Sequence, residues 1–450
     1  MRTASYVCGA CGSETPKWLG RCPSCQEWNT LAEETKRLEG SPAPGWGPAE
    51  KARSLRSWRD EGSVSRSRTG IEPLDRVLGG GVVPGMGVLI GGEPGIGKST
   101  LLLQCAAGLE KAFDRVLYVT GEESGAQIAL RAQRLGIRSE KLQVLAESSM
   151  ERILEAAEQE STGVLILDSI QTVATSSLDS TAGSLSQVRE CASRLLTFAK
   201  RRGRPLFLIG HVTKEGSLAG PRTLEHLVDT VLYFEGDGTH TYRLLRTAKN
   251  RFGPAGELGV FEMTEEGLKP VENPSALFLS QRRGGLPGSV VFCSMEGSLP
   301  LLLEIQALVA GGAAGSPRRS ASGFDPARAA MLIAVLEKRA GISLSTDDIF
   351  INAVGGVRLS EPAADLPVAC AVASSALARP ARADTVVFGE IGLVGEVRAV
   401  TRAAARMREA FRLGFSRCLV PRANLKDLPR DLRLEVEGIS TVSEALESLL

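Results

Sequence analysis

Residues 91–100 read Gly91-Gly92-Glu93-Pro94-Gly95-Ile96-Gly97-Lys98-Ser99-Thr100, and this stretch decides the fold. The spacing from Gly92 to Gly97-Lys98-Ser99 is that of a phosphate-binding loop. Val88-Leu89-Ile90 ahead of it predicts a short buried strand, and Leu101 to Leu109 behind it predicts a helix. Glycines let the backbone close around an anion with successive N–H groups turned inward. A helix starting near Lys98 adds the positive end of its dipole. The expected nucleotide-binding set is Gly92, Glu93, Pro94, Gly95, Ile96, Gly97, Lys98, Ser99 and Thr100. Lys98 is expected to reach the outer phosphates, and the Ser99 hydroxyl to join the shell of a Mg²⁺ ion. A glycine-rich turn without a ligand is the plain alternative, and the flanking strand and helix argue against it.

Working outward, the β-branched run Arg115 to Thr120 predicts a strand that ends at Gly121-Glu122-Glu123-Ser124. Ligands of parallel α/β sheets bind beyond the carboxyl ends of strands, so Glu122 is placed to polarise a water against a γ-phosphate. Glu123 suits a helix N-terminus better. The apolar run Val164-Leu165-Ile166-Leu167 ends in Asp168, the Walker B form, which presents a carboxylate to Mg²⁺. Pro205 to Gly210 predicts another strand, and it ends at His211. His211 is either a γ-phosphate contact or a satisfied core imidazole. Strands alternating with helices predict an α/β core on a parallel sheet.

The 450 residues suffice for two or three domains, each with its own core. A formal charge of +1 gives no global basic field to attract nucleic acid, so any such contact needs local patches. No apolar leader segment and no uninterrupted apolar span occur, which gives the expectation of a cytoplasmic chain with no membrane partner. Four of the nine cysteines stand as Cys8-x-x-Cys11 and Cys22-x-x-Cys25. Two such turns make a closed four-thiolate Zn²⁺ site, with Trp18 expected to pack over its small core. A redox dithiol would need a βαβ setting that is missing here. The other five cysteines fall among apolar residues and read as core packing. These features divide the chain into a zinc finger at 1–30, a linker at 31–67, an ATPase core at 68–273 and a C-terminal domain at 274–450.

The strand-ending motifs GEPGIGKST, YVTGEES, LILDSIQT and LIGHVTKEG, followed by Lys249-Asn250-Arg251-Phe252-Gly253, resemble the RadA (Sms) family of bacterial RecA-like ATPases. The resemblance implies a DNA-dependent ATPase of recombinational repair that drives branch migration. It also implies single-stranded and branched DNA and a RecA-type recombinase as partners, and assembly into a homo-oligomer, a hexameric ring. By that likeness Lys98, Glu122, Asp168 and His211 belong to the catalytic site. Lys249 and Arg251 then form a basic pair offered to a neighbouring subunit's ATP; phosphate contact with DNA is the alternative for both. Two polar segments, Thr175 to Ser186 and Thr213 to Arg222, correspond to loops that line a DNA channel, with Lys214 and Arg222 as backbone contacts. Neither segment has an aromatic residue for base stacking. The basic run Lys200 to Arg204 reads as a helix C-terminus and not as a DNA patch.

The C-terminal third mixes strands with an amphipathic helix over Asp325 to Ala340 and an apolar helix over Leu366 to Ala378. It is similar to the Lon protease domain through Gly389-Glu390-Ile391, Gly395-Glu396-Val397 and Glu361 to Pro367. The fold class expected for the whole is therefore α/β: a RecA-like P-loop core, a small four-cysteine zinc module and an α+β Lon-protease-like domain. Val368 stands where the protease serine would be, and no lysine lies near Ala404. Both halves of the serine–lysine dyad are absent. Gly311 to Gly323 is expected to be a flexible basic loop. An ATP-dependent protease and a RecA-like kinase or switch are the competing function classes.

Overall fold

The computed structural model describes residues 3–36, 54, 65–159, 162–211, 223–236, 242–312, 317–427 and 433–450. The chain divides into two compact units, Met1–Val271 and Glu272–Leu450.

The first unit begins with a three-stranded antiparallel sheet of β1 (Thr3–Cys8), β2 (Glu14–Thr15) and β3 (Leu31–Lys36), in the order β2-β1-β3. The sequence predicts that residues 31–36 open a linker. They pair instead along the whole of β1, from Cys8 opposite Leu31 to Thr3 opposite Lys36. Their polar composition carries no strand signal; the ladder of backbone hydrogen bonds to β1 supplies it.

Nine strands form the main sheet: β4 (Gly87–Gly92), β5 (Val116–Thr120), β6 (Leu142–Ala146), β7 (Val164–Asp168), β8 (Leu206–His211), β9 (Thr230–Glu235), β10 (Tyr242–Asn250), β11 (Leu258–Thr264) and β12 (Gly267–Pro270). The order is β12-β11-β10-β9-β4-β8-β7-β5-β6. The run from β9 to β6 is parallel and the last three strands add an antiparallel meander. Every residue of β4, β5 and β7 is buried, because side chains alternate between two covered faces. Val88, Ile90, Tyr118 and Ile166 pack on one face, and Leu89, Val119, Leu165 and Leu167 on the other. In register, Gly92 lies opposite His211, and Thr120 opposite Asp168. The strand ends singled out from sequence therefore share one edge of the sheet.

The helix Leu185–Arg202 closes at Gly203, whose φ of 62° is a left-handed cap. Lys200 pairs with Asp229, Arg202 with Glu158, and Arg204 donates to Ala157 O while lying 5.6 Å over the Phe198 ring. These cations serve the fold, as their position at a helix end suggests. Before that helix, the segment Thr175–Ser180 is held by a buried amide, together with Arg194, which donates to Thr175 Oγ1 (3.1 Å) and Ser177 Oγ (2.7 Å). Gln187 accepts from Thr175 N (2.9 Å) and donates to Thr175 O (3.1 Å), Leu178 O (3.2 Å) and Ser180 O (2.9 Å).

The second unit is built on seven strands: β13 (Ser289–Glu296), β14 (Leu299–Gly311), β15 (Arg319–Ser322), β16 (Asp347–Ala353), β17 (Thr385–Val387), β20 (Arg417–Pro421) and β21 (Glu435–Ile439). They run in the order β15-β16-β14-β13-β17-β20-β21, and β18 (Glu390–Ile391) and β19 (Val397–Arg398) make a separate hairpin. The expected flexible basic loop is only in part a loop. β14 extends to Gly311, and Arg319–Ser322 is an edge strand paired with β16. Residues 313–316 lie outside the described residues. The helix Pro326–Arg339 starts at Asp325, whose carboxylate accepts from Arg328 N. Arg328 also holds the fully buried Asp365, which accepts from Ile391 N (3.1 Å).

Candidate functional site

The loop after β4 returns on itself at Gly95 and Gly97, with φ of 78° and 115°. The φ of Gly97 is what demands glycine there; the nearest atom a Cβ would meet, Met263 Cε at 2.8 Å, ends a flexible side chain that can shift. Gly97 caps the helix Lys98–Leu109, which leaves the first N–H groups of that helix facing the loop. Lys98 is 4% exposed. Its Nζ donates to Gly92 O and Glu93 O, both at 2.8 Å. Burial lowers its pKa to about 8, against the pull of Asp168, Glu122 and Glu93.

Around this ammonium the sheet edge gathers two carboxylates, Asp168 and Glu122, with His211 beside Glu122. Asp168 ends β7, is 6% exposed, and accepts from the buried Tyr118 hydroxyl at 2.6 Å through Oδ2. Oxygen donors of this kind, with the Ser99 hydroxyl, suit a hard divalent ion. Glu122 lies just beyond β5, where Oε1 accepts from Ser169 Oγ (2.6 Å) and meets His211 Nε2 (3.1 Å). Burial pushes the Glu122 carboxyl up, but the Ser169 and His211 hydrogen bonds and the Lys98 charge outweigh it, and the pKa is lowered. His211 Nδ1 is buried without a hydrogen-bond partner among the described residues. Glu123 turns away and pairs with Arg131 at 2.5 Å, while Ser124 closes a capping box with Gln127.

Lys249 and Arg251 are not brought to this edge. β10 runs antiparallel to β9, with Asn250 opposite Thr230, and Arg251 N bonds Asp229 O. Asp229 in turn bonds Gly87, the first residue of β4. Arg251 is therefore level with the start of a strand whose end carries the loop, roughly 16 Å away at the rise of a parallel strand. Lys214 and Arg222 lie outside the described residues.

Sequence reasoning missed Ser169, Tyr118 and Asp229. Ser169 follows Asp168 across a cis peptide bond, which no local pattern announces. Tyr118 looks like any core residue of a buried strand until its hydroxyl needs a partner. Asp229 had no motif around it.

Three family models match parts of the chain: residues 54–217 match an AAA domain, residues 6–33 a rubredoxin metal binding domain, and residues 327–424 subunit ChlI of Mg-chelatase. Over nearly the full length the chain is 48% identical to the DNA repair protein RadA of Bacillus subtilis, covering 99% of this chain and 98% of the relative. The DNA repair protein RadA of Pseudomonas aeruginosa is 49% identical, with the same coverage. That of Aquifex aeolicus is 48% identical, again over 99% and 98%. The chain belongs to the RadA family.

This RadA-family chain also carries a metal site. The sulfurs of Cys8, Cys11, Cys22 and Cys25 all lie within 4.8 Å of one another, with Cys8–Cys25 at 3.6 Å and Cys11–Cys22 at 3.5 Å. A tetrahedral ion with metal–sulfur bonds of about 2.3 Å sets its ligands roughly 3.8 Å apart, so the four thiols fit a metal such as zinc. Trp18 does not cover that core as expected. It is 55% exposed, and among the described residues the module's buried apolar cluster is Cys8, Cys22 and Leu31, with Tyr6, Cys11 and Cys25 half-buried against it. The α+β unit of this RadA-family chain is Lon-protease-like in architecture. Val368 is buried in the helix Asp365–Ala376, and the neighbouring Cys370 thiol is fully buried and pushed up to about 12. Among the described residues no helix is long and apolar enough to cross a membrane.

Proposed function

We propose that this chain is an ATP-hydrolysing motor that works as a hexameric ring on single-stranded and branched DNA. Its task in this reading is to drive branch migration beside a RecA-type recombinase. Lys98 and the N–H groups of the loop hold the phosphates, and Asp168 and Ser99 hold Mg²⁺, which when bound offsets charge on the phosphoryl oxygens. Glu122 takes the proton of the attacking water, oriented by Ser169 and His211. The observation that carries the reading is the separation of Arg251 from the edge that holds Lys98, Glu122 and Asp168. A site completed only by a neighbour's guanidinium couples hydrolysis to movement between subunits. The name its relatives carry, DNA repair protein, supports the DNA part. The C-terminal unit serves assembly or DNA contact and not peptide cleavage, since Val368 and Ala404 offer neither nucleophile nor base.

ATP hydrolysis with and without single-stranded DNA tests the reading. DNA is expected to raise the rate, and Lys98→Ala to weaken nucleotide binding by roughly 10- to 10²-fold, as befits a charge-assisted contact. A rate indifferent to DNA, with intact Lys98 dependence, leaves an ATPase of another kind and sinks the motor. Glu122→Gln keeps shape but not basicity, and kcat is expected to fall roughly 10²-fold with nucleotide affinity held. Because the Glu122 carboxyl is held below the usual glutamate range, the acid limb of the pH profile should fall below that range too. An acid limb near neutrality would assign the base elsewhere.

A further inference from the structure

The two cations of the basic pair have unequal freedom. Lys249 Nζ donates to Glu225 O at 2.6 Å and to Val228 O at 2.8 Å. Those carbonyls lie in and just past the helix Thr223–Leu227, so two of the three ammonium donors are used within the same subunit. Burial and the nearby Arg251 charge lower the Lys249 pKa. Arg251 leaves 52% of its side chain exposed, and its Nη1 donates to Asp229 Oδ1 at 3.0 Å. Its remaining donors belong to a planar fork, a shape matched to phosphoryl oxygens.

Asp229 is buried, and each of its carboxylate oxygens has a fixed partner. Oδ2 accepts from Gly87 N at 3.0 Å, and Oδ1 accepts from Lys200 Nζ at 3.3 Å and from Arg251. Its backbone binds both neighbours as well: Asp229 N donates to Gly87 O, and Arg251 N donates to Asp229 O. One carboxylate thus joins Arg251 to the first residue of β4, the strand that ends in this subunit's own phosphate loop. A buried carboxylate paired on three sides resists displacement, because removing a partner leaves charge uncompensated.

We propose that Asp229 is the positioning residue that sets the Arg251 guanidinium for a neighbouring subunit's nucleotide, and that Lys249 is an in-subunit clamp and not a second finger. The proposal rests on the reading of Arg251 as acting in trans. Asp229 fixes where the fork points, and Lys249 fixes the helix Thr223–Leu227 against β10. Movement of β4 in one subunit then reaches the guanidinium that serves the next.

The test is a pair of double-mutant cycles on the full chain, reading hydrolysis of radiolabelled ATP in the presence of single-stranded DNA. Asparagine at 229 keeps an oxygen for Gly87 N–H and removes the charge. Asp229→Asn is expected to slow hydrolysis between about 10- and 10²-fold, as a misplaced catalytic group does, with nucleotide affinity unchanged. In an Arg251→Ala background the same change is expected to cost less than about twofold more. Lys249→Met should follow the same pattern. Asp229→Glu keeps the charge while moving it, and should slow the wild type and leave Arg251→Ala unaffected; this variant is read if Asp229→Asn no longer binds nucleotide. Losses at 229 that multiply with that of Arg251→Ala, or no loss at all, overturn the positioning role. Multiplicative losses at 249 make Lys249 a second finger. If Arg251→Ala itself leaves the rate unchanged, the trans reading fails first and takes this proposal with it.

Discussion

Arg251→Ala is expected to lower ATP hydrolysis about 10³-fold, within the range for removing an arginine finger, while each protomer still binds nucleotide. The direction follows from the register of the sheet. Arg251 is level with Gly87 at one edge, and the loop that receives phosphate opens past Gly92 at the other. A mixing experiment separates action in trans from action in cis. Lys98→Ala retains a working Arg251, and Arg251→Ala retains a working phosphate loop. In a ring with head-to-tail interfaces, equal mixing should make about a quarter of the sites complete. Two inactive preparations then regain activity on mixing. If Arg251 served its own subunit, every mixed site would lack either Lys98 or Arg251, and no activity would return.

Removing the metal from the four-cysteine site is expected to unfold residues 3–36 while the nine-stranded sheet stays folded. Structural zinc sites contribute about 10–16 kcal/mol of apparent binding free energy at neutral pH, and that energy is folding energy. The N-terminal module has little else to hold it. Its buried apolar cluster consists of Leu31 and two of the thiols themselves, and Trp18 and Trp28 are largely exposed. Amide hydrogen exchange with and without a chelator, or in Cys22→Ser, would show the result. Protection of β1 and β3 should disappear and that of β4, β5 and β7 should persist. Unchanged protection of β1 after complete metal removal would mean that the ladder with β3 suffices, and the site would lose its structural role.

Much of this architecture is legible in the chain because its signals are local. A buried parallel strand is an apolar run, and a residue just past its end falls on the ligand edge. Glu122, Asp168 and His211 could be placed from that rule alone, and the register brings them together. What escaped depends on long-range pairing. β3 is polar and becomes a strand only because β1 has an unpaired edge. Arg319–Ser322 looks like a basic loop and becomes an edge strand through β16. The Glu122–Ser169 contact joins residues 47 apart, and Asp229 matters only because β4 and β9 lie side by side. Trp18 was misplaced for a different reason: its indole stays 55% exposed, and aromatic composition does not say which face a ring takes.

The single amide of Gln187 has a consequence for how the segment Thr175–Ser180 would meet a strand of DNA. Fixing a backbone residue costs about 1–2 kcal/mol of conformational entropy. Here that cost is met when the chain folds, since Gln187 ties the segment at Thr175, Leu178 and Ser180 before any ligand arrives. Contacts made there need not also order the chain that makes them. In the proposed motor, weak, sequence-blind interactions with a sugar–phosphate backbone would then hold and release in step with the nucleotide cycle, on a segment already tied down.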